Sequence, residues 1–238
     1  MKNLFSKIGL GIIAICLVVS CSQDELSMNN NELLSEIPQS LQPYVDHDNQ
    51  LLPFAKALYN AMNASPALRK IIKNESLKKF NKEYEILYQF IKDERVENGL
   101  SVRELLLKYF NNAEILSAIE AKHPTLTIHI PILPAETFSA EIWNTNKQVP
   151  AVAIHSSIGL DPIIVSEKGK YAKNSDEFKI KTGHVPGFPV IVLKDNQRVV
   201  VSNNTSSKYS SLNNRNSDYV FDFIDDCFDG SIKDKKMK

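Results

Sequence analysis

The spacing of apolar residues divides this chain into stretches of different character. Residues 8–19 form an uncharged, largely aliphatic run. Residues 21–50 lose all periodicity, with Asn29, Asn30 and Asn31 together and Pro38 and Pro43 interrupting any helix, which predicts a flexible tether. From Pro53 to Lys122 apolar residues recur at helical spacing. Phe54, Ala57, Leu58, Ala61 and Met62 share one stripe behind a proline suited to a first helical turn. Ser65-Pro66 caps and opens a second helix carrying Leu68, Ile71 and Ile72. Tyr84, Leu87, Tyr88 and Ile91 predict a third, stopped by Asn98-Gly99. Ser101 and Glu104 have capping-box spacing ahead of Leu105, Leu106 and Tyr109, and a fifth helix is expected over residues 113–121. Such stripes read as core-facing, since every amphipathic helix buries one face.

After His123-Pro124 the period falls to two. Leu126, Ile128 and Ile130 alternate with Thr125, Thr127 and His129, as in a half-buried strand. Residues 149–154 and 163–166 read as further strands, the second closed by the turn Lys168-Gly169-Lys170. Residues 190–193 and 198–201 read as a hairpin across Lys194-Asp195-Asn196-Gln197, whose Asp-Asn centre tolerates left-handed backbone. Residues 203–216, rich in Ser and Asn, read as a loop. Val220, Phe223, Ile224 and Cys227 then fall on one helical face before a basic end at Lys233, Lys235, Lys236 and Lys238. The expected fold is α+β. A helical part over 51–122 precedes a mostly antiparallel sheet over 123–202 of the same domain, with 203–238 as loop and terminal amphipathic element.

Composition narrows this further. With 43% hydrophobic and 24% charged residues, the chain is too apolar for global disorder. Three cysteines reduce quickly: Cys16 lies in the apolar run and Cys21 directly after it, so Cys227 is the one thiol left for the folded part and no internal disulfide is expected. Asp225-Asp226 beside Cys227 works against a thiolate, which makes it a packing residue rather than a nucleophile.

The N-terminal run carries an address. Lys2 and Lys7 precede it, it is too short to span a bilayer as a helix, and it ends in Val18-Val19-Ser20-Cys21. That is a secretory signal over residues 1–20. Val18-Val19-Ser20-Cys21 resembles the lipobox of bacterial lipoproteins, which implies that Cys21 becomes the mature N-terminus and is acylated; the alternative is ordinary cleavage near Ser20. Removing the leader takes Lys2 and Lys7 with it and leaves 26 basic against 28 acidic side chains, a balance that gives no electrostatic footprint for nucleic acid. Asp24-Glu25 resembles the acidic export tag of Bacteroidota lipoproteins and implies the outer membrane and its outer face. Ala67-Leu68-Arg69 through Tyr88, residues 126–131 and Phe138-Ser139-Ala140-Glu141-x-Trp143 are similar to segments of a set of Bacteroidota lipoproteins. That likeness covers under half of the chain and implies no activity.

Candidate chemistry is sparse. The histidines are His47, His123, His129, His155 and His184, and none forms the His-Glu-x-x-His pair of helical zinc sites. His129 and His155 sit at the polar phase or end of predicted strands and are weak metal candidates, against two solvent-facing histidines on a half-buried sheet. Asp225, Asp229, Gly230 and Ile232 fit positions of a calcium loop, but Cys227 and Lys236 stand where hard oxygen ligands are required. No Gly-x-Ser-x-Gly elbow and no glycine-rich phosphate loop occur. Gly183-His184-Val185-Pro186-Gly187-Phe188-Pro189 is the most distinctive loop, with His184 and Phe188 as candidate recognition residues, or a rigid entry to a strand with Phe188 tucked over the sheet. Trp143 reads as a core anchor.

The sequence therefore predicts a lipid-anchored envelope protein, more a non-catalytic binding or accessory module than an enzyme, with no cofactor. Its expected partners are the membrane and a protein, peptide or glycan. A metal-assisted hydrolase using His129 and His155 and a structural subunit of an outer-membrane complex are the competing expectations.

Overall fold

Helix α1, Gln42–Ala64, forms the spine of the structure. This computed structural model describes residues 42–155, 160–202 and 219–224, all within one unit, Gln39–Lys238. Cys21, the tether before Gln42, the Ser/Asn-rich loop, Cys227, the calcium-like segment 225–232 and the basic end lie outside the described residues. Among the described residues no helix is long and apolar enough to cross a membrane.

α1 starts inside the expected tether. Pro43 falls in its first turn, where the missing N–H has no intrahelical partner to lose, and Pro53 lies in its interior rather than at its start. The extra turns are held because Asp48 and Leu51 are buried along with Phe54, Leu58 and Met62. Helix α2, Pro66–Ser76, begins as expected, with the Ser65 hydroxyl accepting from the Leu68 N–H at 3.0 Å. The residues expected to form a third helix split into strand β1, Glu85–Leu87, and the single turn α3, Tyr88–Ile91. Helix α4, Val102–Leu107, carries the full capping box between Ser101 and Glu104, and helix α5, Ala113–Lys122, is capped by Asn112.

The remaining strands are β2 (Leu126–His129), β3 (Ala151–Ile154), β4 (Ile163–Val165), β5 (Glu177–Lys179), β6 (Val190–Asp195), β7 (Val199–Ser202) and β8 (Val220–Phe223). Six of them form one sheet in the order β1-β2-β6-β3-β4-β5. Its pairings are antiparallel except β3 with β6, so the sheet is mixed, within an α+β fold. β7 and β8 pair antiparallel in a separate two-stranded sheet.

The expected 190–201 hairpin is corrected by this topology. β6 pairs with β2 and β3, while β7 leaves the sheet to pair with β8. Asn196 holds the exit: its side chain accepts from the Arg198 N–H at 2.9 Å and donates to Glu85 and Thr127, which fixes the turn that carries the chain out of the sheet. β8 likewise replaces the expected terminal helical face at Val220, because Phe221 points inward to Leu87, Phe90 and Val199 in a small satellite core.

Side chains opposite one another in a ladder share a face. Ile86, Ile128, Leu193, Ile154 and Ile163 form one row, and α1 packs on that face, tied at its edge by the Lys56–Glu177 ion pair. Glu85, His129, Val192, Ala153, Ile164 and Phe178 form the adjacent row on the second face. Trp143 is buried as expected, its indole N–H donating to the Gln148 carbonyl at 3.1 Å.

Candidate functional site

Alternation along the last turn of β6 sends Lys194 to the second face of the sheet and Asp195 to the helix face. Each becomes the centre of a polar cluster. On the helix face, Asp195 meets His47 from the N-terminal half of α1 and His123, which caps the C-terminus of α5. His123 Nδ1 lies 2.8 Å and His47 Nε2 3.1 Å from the same oxygen, Asp195 Oδ2. A carboxylate only accepts, so both imidazoles donate to it. The two rings meet edge to face, centroids 5.2 Å apart at 81°.

Charge follows from these contacts. The bond to Asp195, then that to Asp48 at 3.4 Å from Nδ1, raise the His47 imidazole to about 9 against the opposing effect of burial. Burial works to raise the Asp195 carboxyl, but the bonds and charges of His123 and His47 outweigh it and hold it at about 2. At neutral pH this is an imidazolium–carboxylate pair. Asp195 Oδ1 and His123 Nε2 are nevertheless buried with no hydrogen-bond partner among the described residues. An unmet polar atom of that kind costs about 1–3 kcal/mol.

On the second face Lys194 forms an ion pair with Glu85, whose side chain is 5% exposed and also accepts from Asn81 and, at 3.1 Å, from Asn196. His129 lies beside it, Nδ1 3.6 Å from Glu85 Oε1, which is too far for a hydrogen bond. His155 follows β3, exposed, with β6 running between it and His129. Burial lowers both imidazoles, and the charge of Lys194 lowers them further. The structure thus does not gather these two histidines into one ligand set; a lysine stands between the strands that carry them.

Next to His155 the same face holds a hollow of about 210 Å3. Ala153, Ile164, Val190 and Val192 of the sheet make its floor, and Pro131, Leu133, Pro162, Ile180 and Pro186 contribute the walls. The polar residues that line it are His155 and His184. The glycine- and proline-rich loop singled out in the sequence therefore lines a concavity through His184 and Pro186. Phe188 serves differently: it stacks on Tyr171, centroids 4.0 Å apart at 14°, and meets Phe178 edge-on, so it anchors the loop.

Sequence reasoning missed the His47–His123–Asp195 cluster. His47 read as tether, Asp195 as turn, and the residues lie 148 and 72 positions from one another along the chain. No local spacing announces such a meeting. Compared with protein-family models, curated proteins and solved structures, the chain matches none.

Proposed function

We propose that this is a lipid-anchored cell-envelope protein whose folded body is a non-catalytic binding module, and that the hollow on the second sheet face receives one apolar side chain of a peptide partner. The observation that carries this reading is the composition of the hollow: an apolar lining with two imidazoles. At about 210 Å3 it is smaller than the roughly 300–1,000 Å3 of pockets that enclose whole small ligands, and it suits a single anchoring residue. An apolar anchor seated in a preformed pocket is the usual centre of a binding interface. His155 and His184 supply ring nitrogens that donate to or accept from a peptide main chain.

A peptide suits these walls better than a glycan. Sugar recognition asks for polar lining and a free aromatic face, whereas Tyr171 and Phe188 cover each other and Trp143 is buried. The hydrolase reading loses support because Lys194 lies between His129 and His155, where its charge opposes a cation. Support for the envelope address comes from the leader pattern ending in Val18-Val19-Ser20-Cys21 and the acidic pair after it.

The test uses fluorescent peptides that differ only in one central residue, Leu, Phe, Ser or Asp. Burying a leucine or phenylalanine is worth about 1.5–3 kcal/mol, so the apolar peptides bind roughly 10- to 100-fold more tightly than the polar ones. Val192→Trp fills the hollow from a half-buried floor position and abolishes that preference. Equal affinity for all four peptides, or an unchanged preference in V192W, refutes the reading.

A further inference from the structure

We propose that His47, His123 and Asp195 form a binding site for a zinc-class divalent transition-metal ion, ligated by His47 Nε2, His123 Nδ1 and a carboxylate oxygen of Asp195. This site is separate from the hollow, on the opposite face of the sheet, and does not depend on the peptide reading.

Geometry comes first. The three residues reach one point from α1, from the end of α5 and from the end of β6, and each offers a donor atom within 4.8 Å of the other two. The nitrogen-to-oxygen separations are 2.8 and 3.1 Å. Four ligands at zinc's usual bond lengths of about 2.0–2.2 Å stand about 3.4 Å apart around a tetrahedron. The donors therefore shift by only a few tenths of an ångström along these two edges to accept the ion, and the two ring protons they had donated to Asp195 are released to solvent as it binds.

The donor chemistry selects the metal. Two imidazoles and one carboxylate suit zinc and its neighbours, whereas calcium and magnesium favour all-oxygen shells. Three protein ligands leave a fourth position open, the pattern of exchangeable and catalytic zinc sites rather than sealed structural ones. His123 also walls a surface hollow of about 400 Å3 with Gln50, Pro53 and Lys122, which places the cluster beside solvent.

Two further observations point to a ligand. Asp48, 4% exposed, lies 3.4 Å behind His47 at Nδ1, so the imidazole that presents Nε2 to the site has a carboxylate at its back. Carboxylates in that position orient ligating histidines and raise their basicity. Asp195 keeps a second carboxylate oxygen, Oδ1, buried and without a partner among the described residues. A cluster serving only to clasp α1 to the sheet leaves that oxygen unmet, whereas an ion takes it as a ligand.

The experiment uses the full-length protein, freed of metal by chelation and titrated with Co2+ and then Zn2+. We expect one Co2+ per chain with the intense visible bands of a four-coordinate site, displaced by one Zn2+. Asp195→Asn keeps the shape of the side chain and weakens zinc binding by about 100-fold or more, as does His47→Gln at a partly buried position outside the apolar core. Asp48→Asn, acting behind the ligand, weakens it roughly 10- to 100-fold. Absence of stoichiometric metal in the folded wild type overturns the proposal and leaves a hydrogen-bonded clasp. Undiminished zinc binding in folded D195N or H47Q overturns it equally, by moving the metal to other residues.

Discussion

Replacing Lys194 with methionine isolates the buried Glu85 carboxylate, and the structure fixes both the size and the pH dependence of the effect. Glu85 is 5% exposed and its charge is balanced by Lys194, itself 25% exposed, with Asn81 and Asn196 donating to the same carboxyl group. Breaking a buried pair by removing one partner costs about 3–5 kcal/mol; the partial exposure of Lys194 and the two remaining amides place this case at about 3 kcal/mol. Urea unfolding followed by the fluorescence of Trp143, buried and unique in the chain, reads the change directly. With a slope of about 2 kcal/mol per molar, the midpoint falls by about 1.5 M. Burial works to raise the Glu85 carboxyl in the wild type, but Lys194, Asn81 and His129 outweigh it and hold it below the ordinary value. Its contribution is therefore complete above the unfolded value of about 4.3 and is lost as pH falls through the lower folded one. Without Lys194 burial prevails, the folded value rises above about 4.3, and the variant regains stability as pH falls through that raised value toward about 4.3. The Glu85→Gln/Lys194→Met double variant is accordingly more stable at neutral pH than Lys194→Met alone. A midpoint unchanged by Lys194→Met, or the same pH slope in variant and wild type, refutes this reasoning.

Other consequences are simpler. Ser101→Ala removes one half of the capping box of α4 and lowers stability by about 1 kcal/mol in the same urea assay. Phe221→Ala empties the satellite core around Leu87, Phe90 and Val199 at a cost of about 3 kcal/mol, and hydrogen exchange speeds at the β7 amides before those of β2. Cys21→Ser abolishes fatty-acid labelling in cells and releases the protein from the membrane fraction; retained labelling contradicts the lipobox reading.

Elements set by local chemistry were legible in the sequence. The Ser65-Pro66 start, the Ser101/Glu104 box and the alternation through Leu126, Ile128 and Ile130 each specify their element from neighbouring residues alone, and each is found. Elements set by tertiary partners were not. Residues 84–91 have helical spacing, yet Glu85–Leu87 is taken into the sheet by pairing with Thr127–His129, 40 to 44 positions away. The 190–201 segment looks like a hairpin until Asn196 is drawn to Glu85 and Thr127. The sites divide along the same line. The Gly183–Pro189 loop drew notice through its own composition, and its His184 does line the hollow. His47, His123 and Asp195 each have an ordinary local context, and only the packing of α1 and α5 over the end of β6 gives them a common centre.

The central claim, that the hollow on the second sheet face receives an apolar peptide side chain, is tested most directly by NMR of the histidine rings. The imidazoles of His155 and His184, which line the hollow, shift in a saturable way on titration with the leucine peptide, while those of His47 and His123 on the opposite face do not, and V192W abolishes the response. Shifts confined to His47 and His123, or unaltered by V192W, would contradict the account.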